Sequence, residues 1–154
     1  MRSAGFERWT IILPGTFMDH AMLDPAGFVD GRRLVTVLRN DLEIGLIAPE
    51  DIGKAAAAAI HDPAKFHGVT LQLAGDMLTL PQVVEILSRL DGKEYVVESG
   101  TVEEAIAAGL HPGVARGVAY MNVAPMLARP EIARSHGLSP MSFEAWARKH
   151  RGLA

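Results

Sequence analysis

Apolar residues in this chain fall into short runs, some contiguous and some at helical spacing, separated by Pro, Gly and polar turns. Trp9 to Leu13 is apolar and β-branched, too short for a helix, and reads as a strand buried on both faces. Pro14 cannot donate a ladder hydrogen bond and Gly15 turns easily, so the strand should end there and open a loop at its carboxyl end. In open α/β sheets that edge is where ligands bind. Phe17, Met18 and Met22 have near-helical spacing and predict a short helix ended by Asp24-Pro25, followed by a loop to Gly31.

Arg32 to Leu38 and Ile44 to Ala48 read as strands, either as a hairpin or as two separate short strands. Pro49 opens a helix with Glu50 and Asp51 at its positive end and Ala55 to Ile60 as its body, stopped by Asp62-Pro63. Val69 to Ala74 supplies another strand, ending at Gly75-Asp76. Thr79 and Gln82 form a capping box for a helix from Leu80 to Leu90, with Val83, Val84, Ile86, Leu87 and Leu90 on its apolar face.

Tyr95 to Glu98 reads as a strand, and Thr101 with Glu104 caps a helix from Val102 to Ala108 that Gly109 closes. Val114, Val118, Met121, Ala124 and Leu127 set a helical stripe over 113–128, with Tyr120 beside it and Pro125 bending it; Arg129-Pro130 breaks it. Ser142 caps a terminal helix carrying Phe143 and Trp146 and ending in Arg148-Lys149-His150-Arg151. Strands and helices in alternation imply an α/β layer structure.

With 154 residues, 49% hydrophobic and 21% charged, the chain is long enough for one core. A net charge of −3 lacks the basic surplus that nucleic acid binding normally requires. Without cysteine there is no disulfide, thiol catalysis or zinc-thiolate site. The first eight residues lack a signal-peptide core and no apolar run approaches a membrane span, so the expected location is cytoplasmic, with no membrane partner.

Several segments, in order, carry a resemblance. Trp9-Thr-Ile-Ile-Leu-Pro-Gly-Thr-Phe-Met18, Pro49-Glu-Asp-Ile-Gly-Lys54 with its alanines, Phe66-His-Gly-Val-Thr-Leu-Gln-Leu-Ala-Gly-Asp76, Leu78-Thr-Leu-Pro-Gln-Val-Val84 and Phe143-Glu-Ala-Trp-Ala-Arg148 together resemble NmrA-like proteins, atypical members of the short-chain dehydrogenase/reductase superfamily. The resemblance implies the carboxyl-terminal part of a Rossmann-like NAD(P)-binding fold plus a small substrate lobe. It sets 1–154 as a single partial domain, with the last sheet strands and their helices over about 1–90 and the substrate lobe over about 91–154. The glycine-rich nucleotide-binding half is expected to be lacking, with residues 9–13 corresponding to the family's sixth strand.

The candidate chemistry is sparse. No Gly-x-Gly-x-x-Gly occurs, and Gly109, Gly113 and Gly117 have the wrong spacing. The superfamily's proton donor is a tyrosine with a lysine four positions later; here Ser99 follows Tyr95 and Ala124 follows Tyr120 at that spacing, so no catalytic residue is assigned. By resemblance, Pro14, Gly15, Thr16 and Phe17 would wall the nicotinamide, and Met18, Tyr120, Met121 and Met126 would face substrate. Packing offers an alternative in which Thr16 caps a helix and Phe17 and Met18 are core. Relatives carry Arg before Pro-Gly where this chain has Leu13. The six histidines show no metal-ligand spacing, Glu103-Glu104 is explained by a helix amino end, and Asp51 reads as a helix-end residue.

The resulting expectation is a reductase or redox-sensing regulator of NAD(P) type when complete, with this chain alone binding dinucleotide poorly or not at all. The alternatives are a non-enzymatic interaction module docking through the strand edge at 9–13 onto a partner or a second copy, and a truncated gene product; the partners expected are a homo-oligomer or the missing amino-terminal half.

Overall fold

The structure is a computed structural model and describes residues 5–19, 28–124 and 127–152. In chain order its elements are β1 (Ile11–Pro14), β2 (Thr16–Phe17), β3 (Arg33–Thr36), β4 (Ile44–Ile47), α1 (Pro49–His61), α2 (Pro63–Phe66), β5 (Thr70–Leu73), β6 (Asp76–Leu78) and α3 (Leu80–Asp91). There follow β7 (Val96–Ser99), α4 (Val102–Ala107), α5 (Pro112–Ala119), a 3-10 turn at Tyr120–Asn122, α6 (Pro130–Ser135) and α7 (Phe143–His150).

β1 runs parallel to β5, from Ile11 opposite Thr70 to Pro14 opposite Leu73. One residue later β2 runs parallel to β4, and β4 pairs antiparallel with β6 on its other side. Since β6 continues β5, β4 lies between the continuations of two strands that pair directly further back. β3 pairs in parallel with β7 as a separate ribbon, so β3 and β4 are two independent strands and not a hairpin.

The strand buried on both faces is β4. Ile44 and Leu46 enter one core with Leu34, Leu80, Leu87 and Phe143, while Ile47 enters a second with Phe66, Leu71, Leu73 and Ala133. Alternation along one strand therefore divides the interior in two. This corrects the expectation for residues 9–13. In β1, Ile11 and Ile12 are half-buried and Leu13 is 44% exposed, because among the described residues the strand has a neighbour on one side only. Pro14 is also the last member of the ladder and does not lie beyond it.

The helix expected from Phe17 to Met22 is corrected at its start: Thr16 and Phe17 are strand, and residues 20–27 lie outside the described residues. The capping boxes hold as read. Thr79 accepts from the Gln82 N–H while Gln82 answers at the Thr79 N–H, and Thr101 and Glu104 do the same. Gly92 closes α3 in the left-handed conformation at φ 63°. Pro63 and Pro130, expected only to stop helices, each begin a short one, since a helix's first residue needs no N–H donor. The stripe over 113–128 becomes α5 and the 3-10 turn, and Pro125 and Met126 fall outside the described residues.

The segment leading into α7 is pinned by carboxylates from two other elements. Asp51, only 4% exposed, accepts from the Met141 N–H at 2.8 Å and from Lys54 Nζ at 2.7 Å. Asp76 accepts from the Phe143 N–H at 3.1 Å, adding to the Ser142 cap at the amino end of α7. Along α7, Glu144 takes a two-pronged pair from Arg89 of α3, at 3.0 and 2.8 Å, and a further bond from Arg148 at 3.2 Å.

These guanidinium bonds, that from Arg89 foremost, hold the Glu144 carboxyl well below its usual 4.5, at about 2. A carboxyl depressed in the folded state stabilises fully above its unfolded pKa and loses that contribution as pH falls through the folded one. The thermal midpoint should therefore decline as pH drops from 4.5 toward 2, and Glu144→Gln should flatten that decline. An unchanged slope in the variant, followed by circular dichroism, would show that the Arg89 pairing does not couple to folding.

Candidate functional site

The loop at the carboxyl end of β1 is shaped by backbone packing. The Gly15 N–H donates to the Leu73 carbonyl at 2.9 Å, and the Met18 N–H donates to the Ile47 carbonyl at 3.0 Å. The chain thus shifts from β5 to β4 between these residues. The hydrogen-bonded parity changes with it, from odd positions (Ile11, Gly15) to an even one (Met18). A Cβ on Gly15 would lie 2.3 Å from the Gly45 carbonyl oxygen, so only glycine permits this approach. Gly45 is itself tight, since a Cβ there would meet the Ala128 oxygen at 3.1 Å.

Fixing the backbone here fixes what it presents. Thr16 is half-buried in β2 and is therefore a strand residue, not a helix cap. Phe17 is 42% exposed, whereas Met18 is fully buried in the main core. Of the two packing assignments, core placement holds for Met18 and not for Phe17. The residues with surface to offer a ligand are Pro14, Thr16 and Phe17, while Gly15 offers backbone.

Tyr120 and Met121 sit at the carboxyl end of β3. Asn122 ties them there: its Oδ1 accepts from the Arg39 N–H at 3.0 Å and its Nδ2 donates to the Val37 carbonyl at 2.7 Å. Met121 packs against the same core as Met18, whereas Tyr120 is 70% exposed. The structure therefore joins Met18 and Met121 through the core and holds Tyr120 apart on the surface. Tyr95 is committed elsewhere, donating to Asp91 at 2.8 Å and meeting Phe28 edge-on at 5.3 Å between ring centres.

A cleft of about 280 Å³ lies between β7 and α4, but its polar residues already have structural partners. Ser99 donates to the Leu38 carbonyl, Glu98 accepts from Arg33 at 2.6 Å, and Glu104 closes its capping box. That cap bond also lowers the Glu104 carboxyl below its usual value. Among the described residues no cluster of three His, Asp or Glu is placed to hold a metal ion, and no helix is long and apolar enough to cross a membrane.

Two residues of this neighbourhood were not singled out from sequence. Gly45 is one, although a glycine inside the run Ile44-Gly-Leu-Ile47 is itself a signal of close backbone approach. Arg129 is the other; it bridges Leu73 on the side opposite Pro14, and Nη1 donates to the Ala128 carbonyl at 3.0 Å. Nothing in its local sequence marks it, because the bridge joins positions far apart in the chain.

An α/β unit whose parallel strands end in a glycine-fixed loop has the layout of a Rossmann-like fold, and solved structures agree. The chain superimposes on NmrA, a negative transcriptional regulator solved in complex with NADP, with a TM-score of 0.68 at 18% identity. That match covers 96% of this chain and 53% of the other. The triphenylmethane reductase of Citrobacter sp., complexed with NADP(H), gives 0.70 at 15% identity, covering 88% and 50%. The NADPH-dependent quinone oxidoreductase of Escherichia coli gives 0.66 at 18%, covering 88% and 51%. These likenesses establish the fold.

The NmrA-like family model matches residues 31–124, more than half of the chain, and the protein belongs to that family. An NmrA-like family domain-containing oxidoreductase of Gibberella moniliformis is 26% identical over 95 residues, which are 60% of this chain and 31% of that protein. The chain thus spans about a third of this curated relative and about half of the solved structures.

If the loop is built as described, its three positions respond differently to substitution. Gly15→Ala forces a methyl group into the Gly45 carbonyl and should cost about 1–3 kcal/mol. Met18→Ala empties a fully buried site and should cost about 2–5 kcal/mol. Phe17→Ser should stay within about 0.5–1 kcal/mol, since much of the ring is already in water. Urea titrations give all three values, and a Phe17 cost equal to that of Met18 would contradict the assigned orientation.

Proposed function

We propose that this chain supplies the carboxyl-terminal part of an NAD(P)-binding unit of the NmrA-like family, a reductase or a redox-sensing regulator. In this reading Pro14, Gly15, Thr16 and Phe17 form the wall beside the nicotinamide. The Thr16 hydroxyl and free backbone groups would meet its carboxamide, and the Phe17 ring would cover one side of it. Tyr120 and Met121 belong to the substrate side, with Met18 supporting the loop from the core.

The observation that carries this reading is the glycine-fixed loop at the carboxyl ends of β1 and β5, where ligands bind in open α/β sheets. The family match and the cofactors named with the solved neighbours support it. The pyrophosphate would be held by a glycine-rich strand-to-helix turn, and no such motif occurs in these 154 residues. On this reading the chain alone does not hold dinucleotide tightly.

Calorimetry with NADPH tests both parts. The isolated chain should show no micromolar binding. A chimaera carrying the amino-terminal half of the NADP-complexed NmrA ahead of this chain should bind NADPH, and Phe17→Ser should weaken it. Micromolar affinity of the isolated chain, or a folded chimaera whose affinity ignores Phe17, would overturn the assignment.

A further inference from the structure

β3 and β7 form a two-stranded ribbon, and among the described residues β7 has no strand on its other side. Both strands and α4 lie within the stretch that the family model matches. The Val96 N–H donates to the Arg32 carbonyl and the Gly100 N–H to the Thr36 carbonyl, both at 3.1 Å, so the even positions of β7 face β3. In a parallel ladder the odd positions then turn their N–H and C=O groups outward. Ser88 of α3 accepts from the first of these donors, the Tyr95 N–H, at 2.9 Å. The outward backbone groups of Val97 and Ser99 have no partner among the described residues.

The cleft of about 280 Å³ between β7 and α4 adjoins this edge at Ser99. Val35, Ala105 and Ala108 give it an apolar lining, and Glu98 and Glu104 add two carboxylates. Each carboxylate commits one oxygen within the protein: Glu98 Oε2 accepts from Arg33 at 2.6 Å and Glu104 Oε2 from the Thr101 N–H at 2.8 Å. Their Oε1 atoms accept no hydrogen bond from the described residues. Gly100 leaves room for this arrangement, since a Cβ there would lie 2.9 Å from Glu104 Oε2. Val96 shares the face of Glu98, two positions along the strand, and is 40% exposed. An apolar lining edged by carboxylates suits a lysine side chain, whose four-carbon stem buries while its ammonium keeps polar partners.

We propose that the outward edge of β7 accepts an extended basic segment of another polypeptide. The segment pairs with Val97 and Ser99 and lays one lysine into the cleft, its stem against Ala105 and Ala108 and its ammonium against the unbonded oxygens of Glu98 and Glu104. A second copy fits less well. Antiparallel pairing of two β7 strands would bring the carboxylates of one copy against those of the other, and like charges repel across a ladder. The inference is independent of dinucleotide binding, because it uses none of the residues of the loop after β1.

A fluorescein-labelled heptapeptide of alternating valine and lysine serves as the probe, with the same peptide carrying glutamate for lysine as its control. Fluorescence anisotropy should show saturable binding of the lysine peptide to the intact chain, weaker at high salt, and none of the control. Glu98→Gln and Glu104→Gln, which keep the side-chain shape and leave an acceptor for the capping box, should each weaken binding about fivefold. Peptides methylated on the valine nitrogens or on the lysine nitrogens separate backbone pairing from simple charge attraction: one form should lose binding and the other keep it. Absence of saturable binding, equal affinity for the glutamate peptide, unchanged affinity in both glutamine variants, or equal binding of the two methylated forms would overturn the proposal. So would a dimer in sedimentation that the lysine peptide dissolves, which would assign the edge to a second copy.

Discussion

Close approach of backbone to backbone sets the geometry on which everything else rests. At Gly15 the chain passes so near Gly45 that a methyl group would overlap a carbonyl, and at Gly75 a Cβ would lie 2.0 Å from the Met141 oxygen. None of these glycines has a positive φ, so their role is space and not unusual conformation. The first contact follows from the wedging of β4 between the continuations of β1 and β5, whereas the second lets the segment entering α7 close on the turn between β5 and β6. A side chain at Gly15 would push β2 away from β4 and withdraw Met18 from the core.

Polar groups then fasten what the glycines allow to approach. Asp51 on α1 and Asp76 on β6 each accept a backbone N–H from the segment entering α7, which would otherwise carry buried donors without partners. Asn122 does the equivalent for the carboxyl end of β3. In each case one short side chain bonds backbone distant in sequence. Helix caps work locally, whereas these three side chains give the loops their tertiary positions. The stacked rings of Phe143 and Trp146, 5.6 Å between centres, can pack onto the core only once α7 starts in the right place.

What could be read from the sequence was what is decided within a few residues. Both capping boxes, the glycine stops at Gly92 and Gly109, and the strands at β3, β4, β5 and β7 follow from local chemistry and period. β2 and β6 have two and three residues, too few for any period to show, and exist because β4 offers both of its edges. The burial of residues 9–13 was overestimated for a related reason: composition reports that a strand is apolar, not how many neighbours it has. Within the candidate site, the loop's location was legible from Pro14-Gly15. The division between exposed Phe17 and buried Met18 was not, since it depends on a parity shift created by the contact with Gly45.

On the proposed reading, that parity shift bears on function through rigidity. A wall beside a flat, planar ring must hold its position without the ring's help, because ordering it on binding would subtract from affinity. Here the loop is held between Leu73, Gly45 and Ile47 by bonds that belong to this chain alone. Thr16 and Phe17 are therefore preorganised independently of any phosphate-binding element.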